Sequence, residues 1–175
     1  GGGTATGGGT DYDSATDVAM FTANSTTAQD VTVAITSDNI VELDETFTVS
    51  LAVNSGTALG DRNVATTDQA TGTINNDDTA VLSIDDVSLN EDGTFTFTVT
   101  STNPSSQDLT GTINTADIAS EAVAGTDYTA ISGGTFTITG NGSDTTDTFT
   151  VTVNDDNIVE DDERFIVNLT NAEFA

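Results

Sequence analysis

The chain has 175 residues, of which 29 are Asp or Glu and only two are Lys or Arg, so its formal net charge is −27. A charge this negative repels nucleic acid and anionic membrane surfaces, so we expect neither a nucleic-acid partner nor direct membrane insertion. The chain contains no Cys and no His, which excludes disulfides, Cys nucleophiles, Ser-His-Asp triads and His-ligated zinc sites.

Short segments that alternate apolar residues with Thr predict β-strands along most of the chain. In Thr94–Thr100, for example, Phe95, Phe97 and Val99 share one face and Thr occupies the other. Polar turns rich in Gly, Asn, Asp and Ser separate the segments, so we predict an all-β fold of antiparallel sandwiches. In chain order, the predicted strands are Asp30–Thr36, Glu45–Val53, Ala70–Ile74, Ala80–Ile84, Val87–Leu89, Thr94–Thr100, Leu109–Thr115, Thr135–Thr139, Asp147–Val153 and Glu163–Leu169.

Two phrases occur twice in the sequence. Residues 38–51 are DNIVELDETFTVSL and residues 156–169 are DNIVEDDERFIVNL, which is an offset of 118 positions. A second phrase, GGTDY, ends at Tyr12, and its counterpart AGTDY ends at Tyr128, which is an offset of 116 positions. The chain therefore contains parts of two copies of one module.

The order of these phrases and of the strands around them resembles the Calx-β domain family, first described in sodium–calcium exchangers and frequent in large bacterial surface proteins. The resemblance also rests on ATGTINNDD at residues 70–78 and SLNEDGTFTFTV at 88–99. It implies tandem immunoglobulin-like antiparallel β-sandwiches of Calx-β type. Matched to the seven strands of the family, residues 1–78 supply the C-terminal part of one repeat. Residues 79–175 supply most of a second repeat that lacks its last strand. Each repeat would then be incomplete, and we interpret the chain as a window cut from a longer protein.

Carboxylates gather in the repeated phrases, where they would repel one another unless cations or solvent compensate them. Carboxylate and backbone carbonyl oxygens are the ligands of Ca²⁺, which takes six to eight of them, so we predict calcium sites at these turns. The alternative is that the acids only solvate the turns. The resemblance implies a full set of expected ligands for each copy. The two Ile residues would contribute backbone carbonyl oxygens. In the first copy the expected ligands are Asp11, Asp38, Ile40, Glu42, Glu45, Asp77 and Asp78, and in the second Glu91, Asp127, Asp155, Asp156, Ile158, Glu160 and Glu163.

These features favour a structural or adhesive segment of an extracellular or cell-surface protein or fibre, made rigid by Ca²⁺ near the joints between repeats. The expected partners are neighbouring repeats of the same polypeptide or neighbouring subunits in a fibre, and a cell-surface or glycan ligand is a further candidate. The alternative is a calcium-sensing regulatory module of a membrane transporter, which the extreme acidity disfavours. An enzyme is not expected, because no substrate-holding group accompanies the acids.

Overall fold

The structure, a computed structural model, describes residues 4–14, 17–53, 64–90 and 93–175. In these residues every paired strand runs antiparallel, which confirms the predicted all-β fold. The same residues include no helix long and apolar enough to cross a membrane. The strands are β1 (Glu45–Ser50), β2 (Gln69–Ile74), β3 (Leu82–Ile84), β4 (Thr94–Ser101), β5 (Leu109–Asp117), β6 (Ser132–Ile138), β7 (Thr146–Thr152) and β8 (Phe165–Phe174).

The chain divides into two compact units. Unit 1 comprises Gly1–Asp38 and Leu43–Asn76, and unit 2 comprises Asn39–Glu42 and Asp77–Ala175. Within unit 2 the short Asn39–Glu42 segment is held through Val41, whose backbone N–H donates to the carbonyl of Pro104 at 2.9 Å. Each unit is described separately below.

Unit 2 is a sandwich of two three-stranded sheets. One sheet has the order β3-β4-β7 and the other β6-β5-β8. Their inward side chains form one cluster that contains Val99, Ile113 and Phe136 and a second that contains Phe97, Tyr128 and Val151. The first cluster draws residues from both sheets, and the second packs against Phe165 and Val167 of β8 in the opposite sheet, so burial of these side chains holds the layers together.

The alternation of Thr with apolar residues explains the sandwich directly. In β4 the buried positions are Phe97, Val99 and Ser101, at 7%, 0% and 3% exposure. The intervening Thr side chains lie on the other face of the pleat, since successive residues of a strand point to opposite sides. The same side chains pair across the sheet, where Thr96 faces Thr150 and Phe97 faces Phe149.

Unit 1 contains the antiparallel pair β1 and β2, in which Phe47 of β1 faces Gly72 of β2. A Cβ atom at position 72 would overlap the Phe47 ring, so glycine gives that ring its space. On its other side Phe47 stacks against Tyr12, with ring centroids 4.7 Å apart. The aromatic pair is the packing centre that ties the start of unit 1 to β1.

Two of the predicted strands do not form, and others differ in their bounds: β3 begins at Leu82, β6 begins at Ser132 and β8 extends to Phe174. Asp30–Thr36 is not a strand: it makes one isolated bridge, between Ile35 and Tyr12, and Ile35 is 50% exposed. Val87–Leu89 is also not a strand. In both cases alternation alone was insufficient, because a strand also needs a neighbouring strand to accept its backbone hydrogen bonds. The Glu45–Val53 prediction is too long, since β1 ends at Ser50.

Gly111 offers a test of how tightly unit 2 packs. A Cβ atom at this position of β5 would overlap the ring of Phe136, which is 1% exposed, and lie 3.3 Å from the Thr170 carbonyl. We expect Gly111→Ala to lower the free energy of unfolding by about 1–3 kcal/mol, the usual cost of overpacking a core. Urea denaturation measures it. Gly93→Ala is the matched control, because its Cβ would meet ordinary contacts from 3.5 Å outwards; equal losses in both variants would contradict the packing argument.

Candidate metal site

The turn that carries Asp127 is closed by its own hydrogen bonds. Oδ2 of Asp127 accepts the backbone N–H of Val123 at 2.6 Å. Gly125 donates its N–H to the carbonyl of Tyr128 at 2.8 Å and has a φ of 89°, a backbone conformation that favours glycine. The Asp127 carboxylate is therefore fixed at the tip of a tight turn that precedes β6.

The first copy folds the equivalent turn in the same way. Oδ2 of Asp11 accepts the N–H of Thr6 at 2.5 Å, and Gly9, with a φ of 91°, donates to the Tyr12 carbonyl at 3.0 Å. Asp11, Gly9 and Tyr12 each lie 116 positions before Asp127, Gly125 and Tyr128. The repeated GTDY phrase therefore encodes one turn whose Asp both closes the loop and presents a carboxylate.

Three predicted ligands meet at the turn of the second copy. One carboxylate oxygen from each of Asp127, Glu160 and Glu163 lies within 4.8 Å of the other two. Asp127 is half-buried and the two Glu side chains are exposed. We call these residues the second-copy triad. In unit 1, Asp11 and Glu45, which are equivalent to Asp127 and Glu163, likewise lie within 4.8 Å of each other.

Asp156, although predicted as a ligand, is not one of the acids that meet in the triad. Asp156 closes its own turn, where its Oδ1 accepts the N–H of Ile158 at 2.6 Å. Glu42, the equivalent of Glu160, belongs to the Asn39–Glu42 segment described with unit 2. Glu91 lies outside the described residues. The predicted carboxylate ligands of the described residues that belong to no group of three acids within 4.8 Å are Asp38, Asp77, Asp78, Asp155 and Asp156. The carbonyls of Ile40 and Ile158 remain predicted ligands.

The electrostatics of both sites favour a bound cation. Partial desolvation, then the charges of Asp127 and Glu160, raise the pKa of Glu163 above its ordinary value. Burial and the neighbouring Asp11 raise the pKa of Glu45 in the same direction. Without a cation, each group therefore resists ionisation.

A buried tyrosine and a half-buried phenylalanine stack next to the chain positions of Asp127 and Glu163. Tyr128, which follows Asp127 in the chain, is 1% exposed, and its ring stacks on Phe165 with centroids 4.4 Å apart. The Tyr128 hydroxyl donates to Oδ1 of Asp117 at 2.7 Å, and burial raises the pKa of Tyr128. Sequence analysis missed Asp117, Tyr128 and Phe165 as supporting residues, although the tyrosine of TDY and the phenylalanine after the acidic phrase recur in both copies.

The fold and the site together define an all-β repeat protein whose acidic turns are built on buried aromatic residues. The model of the Calx-beta domain matches residues 2–78 and again residues 76–175. The chain therefore belongs to the Calx-beta domain family and contains two tandem copies of that domain. No curated protein matches the chain.

The residues present fit a hard divalent cation. The triad offers only carboxylate oxygens, the ligand type that Ca²⁺ prefers, and none of the nitrogen or sulfur atoms that softer metals select. Asp127, Glu160 and Glu163 would hold the ion, and its charge would relieve their mutual repulsion.

The raised pKa of Glu163 sets a pH dependence in the absence of divalent cations. Because the native state holds this proton to higher pH than the unfolded chain does, stability falls as pH rises from the ordinary glutamate range through the raised value. Glu163→Gln has no such proton to lose. We expect the melting temperature of the Glu163→Gln variant to exceed that of the wild type at about pH 7. The difference in melting temperature should vanish at about pH 4.

Thermal denaturation in EGTA across this pH range is the measurement. Glu173→Gln, near the far end of β8, removes the same charge at a distance from the triad and serves as control. A loss of stability in Glu163→Gln that does not change with pH would mean that the carboxyl has a packing role instead.

Proposed function

We propose that this chain is a structural and adhesive segment of an extracellular or cell-surface protein in which Ca²⁺ binds at the acidic turns and stiffens an array of Calx-beta repeats. The observation that carries the proposal is the convergence of Asp127, Glu160 and Glu163 at one turn. The equivalent acids Asp11 and Glu45 also meet in the other copy, so the arrangement recurs with the repeat.

The charge balance supports a cation at these acids. The whole chain has two Lys or Arg residues against 29 acids. In the described part of the chain, the basic side chain is Arg164, and it is engaged with Glu121 at 2.5 Å. A divalent cation from solution would offset the negative charge of the triad, and an extracellular module needs a dissociation constant of only about 10⁻⁴–10⁻³ M.

The repeat architecture supports a mechanical role. Two copies of one domain follow each other directly along the chain, since the family matches overlap at residues 76–78. Tandem domains without a long linker extend reach and present lateral surfaces. Neighbouring repeats or neighbouring subunits would be the partners, and a cell-surface or glycan group would be the ligand of an adhesive array.

Calcium is expected to raise the melting temperature of the chain. A ligand at a hundred times its dissociation constant adds about 2.7 kcal/mol to the free energy of unfolding, provided it binds only the native state. Calorimetry in EGTA, in millimolar Mg²⁺ and in millimolar Ca²⁺ makes the comparison. The same melting temperature in all three buffers would contradict calcium binding.

A matched pair of variants localises the effect. Glu160→Gln removes one acid of the triad, and Asp161→Asn removes the adjacent acid outside it. We expect Glu160→Gln to reduce the calcium-induced rise in melting temperature and Asp161→Asn to preserve it, because only the first removes a ligand. Equal effects would assign the rise to general charge screening.

The cellular setting is tested separately from the metal. Antibodies against the chain should label intact cells of the source organism, and external protease should remove the label. Labelling that requires permeabilised cells would favour the alternative role, a calcium-sensing module of a membrane transporter.

A further inference from the structure

An ion pair links the two chain segments that carry Asp127 and Glu163 of the second-copy triad. Nε of Arg164 donates to Oε2 of Glu121 at 2.8 Å, and Nη2 donates to Oε1 at 2.5 Å, so the guanidinium grips the carboxylate with two parallel bonds. Arg164 directly follows Glu163 of the triad. Glu121 lies in the loop between β5 and the Asp127 turn. The pair therefore joins the loop that carries one ligand to the backbone that carries another.

The first copy links the equivalent positions by different chemistry. Ala5 stands 116 positions before Glu121, and Thr46 stands 118 positions before Arg164. There the backbone N–H of Ala5 donates to the Thr46 carbonyl at 3.0 Å, and the Thr46 N–H donates to the hydroxyl of Thr4 at 3.0 Å. The same two segments are thus connected in both copies, through uncharged hydrogen bonds in one and through an ion pair in the other.

We propose that Arg164 and Glu121 are positioning residues of the second site, which hold the Asp127 loop against the start of β8 and make calcium binding at this site more sensitive to monovalent salt than binding at the first site. The inference rests on the proposed calcium function. Arg164 has a side chain that is 76% exposed, so salt can screen the pair. The uncharged links of the first copy have no comparable dependence.

The electrostatic role of the pair must be separated from its geometric role. Glu121 adds to the negative field that raises the pKa of Glu163, and the guanidinium of Arg164 offsets that field. A single substitution changes both the contact and the charge near the ligands. The double variant Glu121→Gln with Arg164→Gln removes the contact but leaves the sum of the two charges at zero, so it reports on positioning.

The test is a calcium titration of the ¹⁵N-labelled full chain followed by NMR. Amide signals of Val123, Gly125 and Asp127 report on the second site, and those of Gly9 and Asp11 report on the first site in the same tube. In the double variant we expect the dissociation constant of the second site to rise about two- to fivefold, as for a well-formed exposed ion pair. That of the first site should not change.

The exchanged pair, Glu121→Arg with Arg164→Glu, restores the contact with reversed polarity and should recover the wild-type constant within about twofold. Raising NaCl from about 0.05 to 0.5 M should weaken the second site in the wild type more than in the double variant, because only the wild type has the pair to screen.

Three outcomes would count against these proposals, and each has a different meaning. A double variant that binds calcium at the second site as tightly as the wild type would overturn the positioning role and leave the proposed function intact. Wild-type signals that do not respond to calcium at either site would overturn the proposed function itself. A double variant with losses at both sites would indicate a general fault in folding and would also count against a positioning role.

Discussion

The stacking of Tyr128 on Phe165 is the contact on which the second site depends. Asp127 immediately precedes the tyrosine, and Glu163 lies two residues before the phenylalanine. When the rings pack 4.4 Å apart, the backbone on both sides is brought together and the two carboxylates must approach each other. Stacked aromatic pairs contribute about 0.5–1.5 kcal/mol beyond the area they bury, and Tyr128 is almost fully buried. Apolar packing therefore holds together carboxylates that their mutual repulsion would otherwise drive apart.

Because aromatic packing positions the acids, the acids can lie close together and still be exposed to water. The repelling carboxylates of Glu160 and Glu163 stay in contact with water, which screens them, while the rings that place them are in the core. The Asp127 carboxylate is held differently, since the N–H of Val123 compensates part of its charge. A site of this kind is assembled before any cation arrives, so binding need not provide the energy of ordering the ligands.

The sequence was sufficient for the sandwich strands of unit 2 because there the alternation of Thr with Phe, Val, Ile and Leu coincides with available partners. The same pattern was misleading at Asp30–Thr36, where Val31 is 42% exposed and pairing is limited to one bridge. Period-2 alternation shows which face could be buried but not whether a neighbour exists.

For the site, the repeated acidic phrase identified the two Glu residues and the TDY phrase identified Asp127. Position in the phrase did not separate Glu160 from Asp156, whose carboxylate turns back onto the N–H of Ile158. Nor did it reveal the ion pair between Glu121 and Arg164, which are 43 residues apart in the chain. Contacts of this kind depend on the fold as a whole, so no local spacing indicates them.

The segment between the TDY phrase and the acidic phrase is two residues longer in the second copy, since the two phrases are offset by 116 and 118 positions. Hydrogen bonds show where this difference lies. Asp13 donates to the Ala34 carbonyl, whereas its equivalent Thr129 donates to the Thr152 carbonyl. The connecting chain is therefore two residues longer in the second copy, yet it returns to the same partner. A strand repeats its orientation every two residues, so an insertion of two preserves which side chains face inward and an insertion of one would reverse them. The two copies thus accommodate a two-residue difference in this connecting segment while the acids of the repeated turns, Asp11 with Glu45 and Asp127 with Glu163, still meet.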